Sequence, residues 1–228
     1  MEKIKNIRKK LRHQRSVRRR KLGLSTPTQI ICVSFIIVIA LGTLLLTLPI
    51  ASRHGRLDVL NAMFTATSAT CVTGLVVRDT WTQFTWFGQA VVLLLIQVGG
   101  LGLVTLTSFF ALAMRRRMGF RDLRLLGESV SADGYDQAKS VLKIVVGLAA
   151  MFEGIGILLL LFAFVPQFGL EGVWISVFTA ISAFCNAGFD LFGRFGAYSS
   201  LVPYVNNYYV QAVIMFMIIS GGLGFMVW

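Results

Sequence analysis

The sequence is poor in residues that do chemistry. Of its 228 residues only three are cysteine and two are histidine. Cys32, Cys71 and Cys185 show none of the paired spacings of a zinc or redox centre, and His13 and His54 are the only imidazoles that could assist them, so no metal site is expected. Acids are scarce as well, ten against 22 Lys and Arg, which leaves a net charge of +12. No aromatic residues are interleaved with the eleven basic residues that precede residue 22, so nucleic acid is not the expected partner. The run 30–48 is too long for the apolar core of a signal peptide and has no small-residue cleavage site, so a retained membrane helix is expected there.

What is present is apolar. The chain is 56% hydrophobic with a mean hydropathy of +0.74, and its uncharged runs cover 30–48, 80–114, 144–165 (with Glu153 inside) and 210–228. Runs of that length span a bilayer core as helices, so the fold class is all-α integral membrane with four spans. The second run, 35 residues, would be about 52 Å long as one helix, and must tilt, break or extend beyond the bilayer. Gly99, Gly100 and Gly102 are where a break is expected.

The basic residues set an orientation. Eleven precede residue 22 and seven fall within 115–143, whereas Arg53, Arg56, Arg78 and Arg194 are left for the other side. A cytoplasmic N-terminus follows, and the stretches 49–79 and 166–209 must then be external or re-entrant. The expected organisation is a basic cytoplasmic segment 1–25, a helix, loop, helix unit over 26–114, a basic cytoplasmic loop 115–140, and a second unit over 141–228 that stops within its last helix.

The two units share sequence. FTATSATCVTGL at 64–75 matches FTAISAFCNAGF at 178–189 at seven of twelve positions, offset 114, and IQVGGLGL at 96–103 is echoed by IISGGLGF at 218–225, offset 122. The eight-residue difference fits an insertion in the second copy, around GRFGAYSS. Polar, glycine-bearing segments between two spans are costly in lipid, because each bare peptide group costs several kcal/mol there, and they persist where they are buried or line a watery cavity. A short helix from Leu57 to Ala69, with Asp58 near its N-terminus, would point its C-terminal carbonyls to mid-membrane, and Glu171 is placed similarly in the second copy. The chain would then return extended through TCVTGL or FCNAGF, its glycines letting carbonyls face an axis and replace an ion's water shell. Small residues at helix interfaces are also routine packing devices, but the duplication at matched positions favours the pore loop. GGLG has no strand before it, which excludes a dinucleotide loop.

These units, with the loops SATCVTGL and SAFCNAGFDLF and the helix QVGGLGL, resemble the Trk/Ktr/HKT superfamily of potassium transporters, above all its Ktr-type membrane subunits, from about residue 25 to the end. The resemblance implies four such units around one pore, with one filter glycine in each. The matching residues here are Gly74, flanked by Cys71, Val72 and Thr73, and Gly188, flanked by Cys185, Asn186 and Ala187. It further implies K+ as the transported ion with Na+ coupling, no covalently bound cofactor, a homodimer in the cell membrane, and a cytoplasmic nucleotide-binding regulatory subunit. Third and fourth units are missing from this sequence, so a fragment is expected, the alternative being a pore completed by other chains.

Other residues keep two readings. Glu153 either touches the ion path or is hydrogen-bonded between helices beside Gly154 and Gly156. Asp79 and Asp190 either gather cations at the mouth or are solvated loop acids. Cys71 and Cys185, at equivalent positions around a pore, should face each other across it as free thiols. The basic segments suit a regulatory ring or anionic membrane lipids equally. A non-conducting membrane anchor or assembly subunit is the rival function, although an anchor has no need of two polar loops. An enzyme is disfavoured because neither loop holds a nucleophilic or metal-binding set.

Overall fold

The computed structural model describes residues 27–115 and 133–223. The basic segment 1–25, most of the basic loop read over 115–140 and the end of the last apolar run lie outside the described residues. The chain divides into two bodies, Met1–Val38 and Ile39–Trp228. Of the first, the described part is the beginning of helix α1 (Pro27–Leu46), where Cys32, Val33, Ile36 and Ile37 are exposed.

The second body holds the rest of α1, then α2 (Val59–Thr70), α3 (Thr80–Gln83), α4 (Trp86–Arg115), α5 (Asp133–Phe168), α6 (Leu170–Phe184) and α7 (Tyr208–Gly222). Short 3-10 turns stand at Pro49–Ala51, Phe192–Phe195 and Val202–Tyr204. Among the described residues the only β pairing is an isolated bridge between Ser52 and Phe84. Helix α5 begins inside the segment read as a loop, at Asp133.

The long run after residue 80 is interrupted, but not at its glycines. Asp79 caps α3 by accepting from the Thr82 N–H (2.8 Å), and Phe84 then turns extended (φ −97°, ψ 140°) before α4 begins. The α1–α2 connection holds this corner open: Arg53 N donates to Gln83 O (2.9 Å), Thr85 N to Ala51 O (3.0 Å), and the Thr85 hydroxyl to Ile50 O (2.6 Å). Helix α4 passes through Gly99, Gly100 and Gly102 without a break. A helical glycine keeps its i→i−4 hydrogen bond, so it lowers propensity without ending the helix.

Packing repeats with the sequence. A Cβ on Gly42 would lie 2.7 Å from Leu95 Cδ1, and one on Gly156 would lie 2.5 Å from Met217 Sδ. The glycines are related by the 114 offset and their partners by the 122 offset, so the same helix crossing is built twice. At the end of α5, Gly169 adopts φ +59° and Gly172 sits against the Phe164 carbonyl, which turns the chain straight into α6. Outer faces carry Leu41, Leu44, Leu94, Leu158 and Phe162, all exposed, in keeping with lipid contact. Among the described residues one segment, Lys143–Phe168, is by length and composition able to cross a membrane; Cys32–Leu46, Trp86–Gly102 and Tyr208–Gly222 are shorter apolar helices.

Candidate ion-filter site

The two loops are the same structure. After α2, Cys71 N donates to Thr67 O (2.8 Å), Val72 N to Ala69 O (3.3 Å) and Thr73 N to Ser68 O (2.9 Å), and the Ser68 hydroxyl reaches forward to Leu75 O (2.8 Å). After α6, Cys185 N donates to Ile181 O (2.9 Å), Asn186 N to Ala183 O (3.0 Å), Ala187 N to Ser182 O (2.8 Å), and the Ser182 hydroxyl to Phe189 O (2.5 Å). All four bonds recur at the 114 offset.

The dihedrals recur too, and they correct the expectation of a simple extended return. Val72 and Asn186 have φ of +54° and +57°, Gly74 and Gly188 of +76° and +74°. Left-handed backbone suits glycine, but at a β-branched valine it costs on the order of 1–3 kcal/mol. The four bonds around each loop hold that strain in place, and alternation of left-handed residues turns successive carbonyls in a way a strand does not.

The loops meet at the matching glycines. A Cβ on Gly74 would stand 2.9 Å from Ala187 O and 3.5 Å from Gly188 Cα, and one on Gly188 would be 3.3 Å from Gly74 Cα. Only backbone fits there. Around this junction Cys71, Thr73, Asn186 and Gly188 are exposed, Val72, Gly74 and Cys185 half-buried, and Ala187 buried. The Asn186 amide donates to Phe184 O and Ile218 O, both at 3.4 Å.

The GGLG echo also has its reason. Gly99 receives the Thr70 carbonyl at the C-terminus of α2, Gly221 receives the Phe184 carbonyl at the C-terminus of α6, and a Cβ at either would overlap that oxygen. Gly100 accommodates the Cys185 side chain. The expectation that Cys71 and Cys185 face one another is thereby corrected: Cys185 Sγ lies on Gly100 and 3.7 Å from Gln97 Oε1, while Cys71 is exposed, and both are free. Behind the thiol, the Gln97 amide donates to both oxygens of buried Glu153 (2.8 and 3.1 Å), which links α4 to α5.

The two mouth acids are partnered. Asp79 is buried; besides capping α3 it accepts from Tyr198 N (3.0 Å), with Gly193 close against its carboxylate. Asp190 accepts from Phe192 N (2.9 Å) and from Ser200. Burial raises the Asp190 carboxyl above the ordinary carboxylate range, and the neighbouring Asp79 charge adds to this. A cavity of about 200 Å³ lies beside the second loop, lined by Thr179, Asn186, Asp190, Ser200 and Ile214 among others. The Thr179 hydroxyl is buried without a hydrogen-bond partner among the described residues.

The outer loops are clasped as well. The Tyr198 hydroxyl donates to Val77 O (2.9 Å), and the Arg53 and Arg194 guanidinium groups stand 5.1 and 5.4 Å from the Trp81 ring centre. Arg194 also lies over Phe168 and pairs with Glu171 at 3.0 Å, so the carboxylate expected to serve the start of α6 has a cation partner. Sequence reasoning missed these contacts because the residues are far apart in the chain; the insertion GRFGAYSS was the one visible signal.

An all-helical chain built as two copies of a helix, glycine-turn loop and helix, with apolar outer faces, is a repeat-built membrane protein. The chain belongs to the TrkH family of cation transport proteins, which it matches over residues 4–228. It is 38% identical over 205 residues to the potassium/sodium uptake protein NtpJ of Enterococcus hirae, which covers 89% of this chain and 44% of that protein. It is 39% identical over 203 residues to the Ktr system potassium uptake protein B of Bacillus subtilis, again 89% and 44%, and 38% identical over 200 residues to that of Vibrio alginolyticus, 87% and 43%. The chain thus spans somewhat under half the length of the curated relatives it matches.

Proposed function

We propose that this chain supplies two of the loops that form the filter of a potassium-uptake pore in the cell membrane. The observation that carries this reading is the doubled left-handed turn at Val72–Gly74 and Asn186–Gly188, backed by identical hydrogen bonds and joined glycine to glycine. Cation passes along the backbone of Cys71, Val72, Thr73, Gly74, Cys185, Asn186, Ala187 and Gly188, whose carbonyls replace part of its water shell. Helices α2 and α6 end directly before the loops, so their C-terminal partial charges favour a cation. Two loops surround an ion on about half its circumference. The edges support closure by further units of the same kind: Gly100 is filled by Cys185, whereas Gly222, its counterpart, meets among the described residues only Asn186 Nδ2 at 3.7 Å, and Cys71 is exposed.

The names of the relatives favour K+ as the ion, with Na+ as a second or coupled one. Asp79 and Asp190 act at the mouth chiefly by fixing its loops, as their backbone partners indicate. The N-terminus is cytoplasmic, since 18 of the 22 basic residues lie in segments 1–25 and 115–143. Those segments dock a cytoplasmic nucleotide-binding subunit and anionic lipid headgroups, and two membrane subunits pair as a homodimer.

Gly188→Ser tests the reading in a potassium-uptake-deficient bacterium. With the pore closed by its further units, the protein restores growth at low K+, and Gly188→Ser reaches the membrane but loses K+ affinity or preference over Na+ by about tenfold or more, because a Cβ there meets Gly74 Cα at 3.3 Å on a backbone with φ +74°. Unchanged K+ and Na+ kinetics would remove Gly188 from the filter.

A further inference from the structure

The repeat breaks at one buried cluster. Cys185, at the C-terminus of α6, is held by Gln97 of α4, and Gln97 is held by Glu153 of α5. Its offset counterparts cannot do this: Ile39 stands where Glu153 would be in the first copy, and Ile219 where Gln97 would be in the second. The Gly42–Leu95 and Gly156–Met217 pairs show that these offsets hold through the helices concerned. A carboxylate and a primary amide have therefore been placed, inside an apolar helix layer, at the junction between the copies. Glu153 is 7% exposed.

The chemistry of the trio is directional. A carboxylate accepts only, so Glu153 compels Gln97 to present its NH2 group, and both oxygens take that donor, at 2.8 and 3.1 Å. The amide oxygen is then left facing Cys185, where it accepts from the thiol at 3.7 Å. With its S–H directed at Gln97 and its Cβ and Sγ seated on Gly100, Cys185 has one place to stand. Cys185 is also the residue from which the second loop departs; Asn186, next in sequence, is in the strained left-handed region at φ +57°.

We propose that Glu153 is a positioning residue for the second filter loop: through the fixed amide of Gln97 it anchors Cys185 on α4 and so sets the shape of the turn that carries Asn186 and Gly188. This rests on the filter reading of that turn, and it assigns the intramembrane carboxylate a role without ion contact. Glutamine at position 153 could present either end of its amide, leaving the Gln97 amide free to turn its NH2 toward a thiol that accepts poorly.

The test uses Glu153→Gln and the exchanged pair Glu153→Gln with Gln97→Glu, in which a carboxylate at position 97 accepts from both the amide introduced at position 153 and the Cys185 thiol. Two readouts are taken in membranes containing the protein. With Cys32 and Cys71 replaced by serine, modification of Cys185 by a small membrane-permeant maleimide accelerates about three- to tenfold in Glu153→Gln, the range for one lost buried hydrogen bond, and returns to the parent rate in the exchanged pair. In the chain with its native cysteines, the K+ concentration for half-maximal uptake and the inhibition by Na+ shift in the same order, with the maximal rate changed less. Cys185 reactivity indifferent to position 153, or an exchanged pair no better than Glu153→Gln, overturns the anchoring. If Glu153→Gln does not accumulate, the exchanged pair must accumulate with parent-like Cys185 reactivity, or the proposal fails. Absence of K+ uptake by the unmutated protein with its pore closed by the further units overturns the filter reading alone, since the maleimide rate does not depend on transport.

Discussion

The first and second copies agree in the build of their loops, down to the glycines that meet, and differ in the side chains that bridge one copy to the other. Four hydrogen bonds, two left-handed residues and a glycine receiving a helix-terminal carbonyl are common to both loops. The Glu153–Gln97–Cys185 trio, the Tyr198 and Asp79 clasp and the Arg194 stack on Trp81 occur once, each between copies. Duplication thus preserved what makes a loop, while divergence supplied what makes a junction. The reason is physical: an isolated strained turn must be satisfied locally, whereas two identical surfaces have no intrinsic reason to be complementary to each other.

The largest break in that comparison should come from the shared glycines. Gly99→Val and Gly221→Val each force a side chain onto a main-chain carbonyl, which cannot retreat without unwinding α2 or α6. Both should cost more than about 4 kcal/mol and abolish accumulation of folded protein in the membrane. Gly102→Val, in open space on the same helix as Gly99, should be tolerated. A marked difference between Gly99→Val and Gly221→Val, read as detergent-resistant protein by size exclusion, would show that the copies are not built alike.

A smaller effect is expected at the clasp. Asp79→Ala strips the acceptor from Thr82 N and Tyr198 N, and each orphaned donor costs about 1–3 kcal/mol if it stays buried. The cost should be met by local opening of the segment around Tyr198 and Ser200, both held at positive φ, seen as faster hydrogen exchange there with the α5–α7 core unchanged. Exchange that rises equally throughout the chain would mean the clasp is part of the core.

The smallest concerns pH. The folded protein holds the Asp190 proton to higher pH than the unfolded chain does, because burial and the Asp79 charge raise its carboxyl. The stability that this group contributes is therefore fully present below the ordinary carboxylate range and is lost as pH rises through the raised value. Asp190→Asn keeps an acceptor for Phe192 N and should flatten that part of the profile, measured as Tm against pH in detergent. A slope equal to that of the unmutated protein would transfer the titration to another group.

Much of the site was legible in the sequence. The 114 and 122 offsets, the paired Gly74 and Gly188, and the second glycine motif all follow from self-comparison, because a loop that must be built twice with strained backbone leaves the same residues twice. Three things were not. Gly99 and Gly100 looked like break points but are sites of close approach, since propensity is a property of the residue and packing a property of its neighbour. Val72 gave no sign of positive φ, because a β-branched residue avoids it and only the surrounding bonds impose it; Asn186, of a residue type that tolerates the left-handed region, carried a weaker penalty. Asp79 and Asp190 looked like free mouth charges, yet their acceptors are occupied by backbone donors, for Asp79 one as distant in sequence as Tyr198.

By itself the sequence determined the helical membrane class, the two-fold repetition and the positions of the loop glycines, since hydropathy, periodicity and the steric freedom of glycine are carried by each residue or its near neighbours. The tertiary structure alone decided where the long run bends, which way Cys185 turns and what Glu153 is paired with. Those outcomes depend on groups 31 to 119 residues apart, such as Ser52 with Gln83 and Asp79 with Tyr198, and a hydrogen bond across such a distance exists only once the chain has packed.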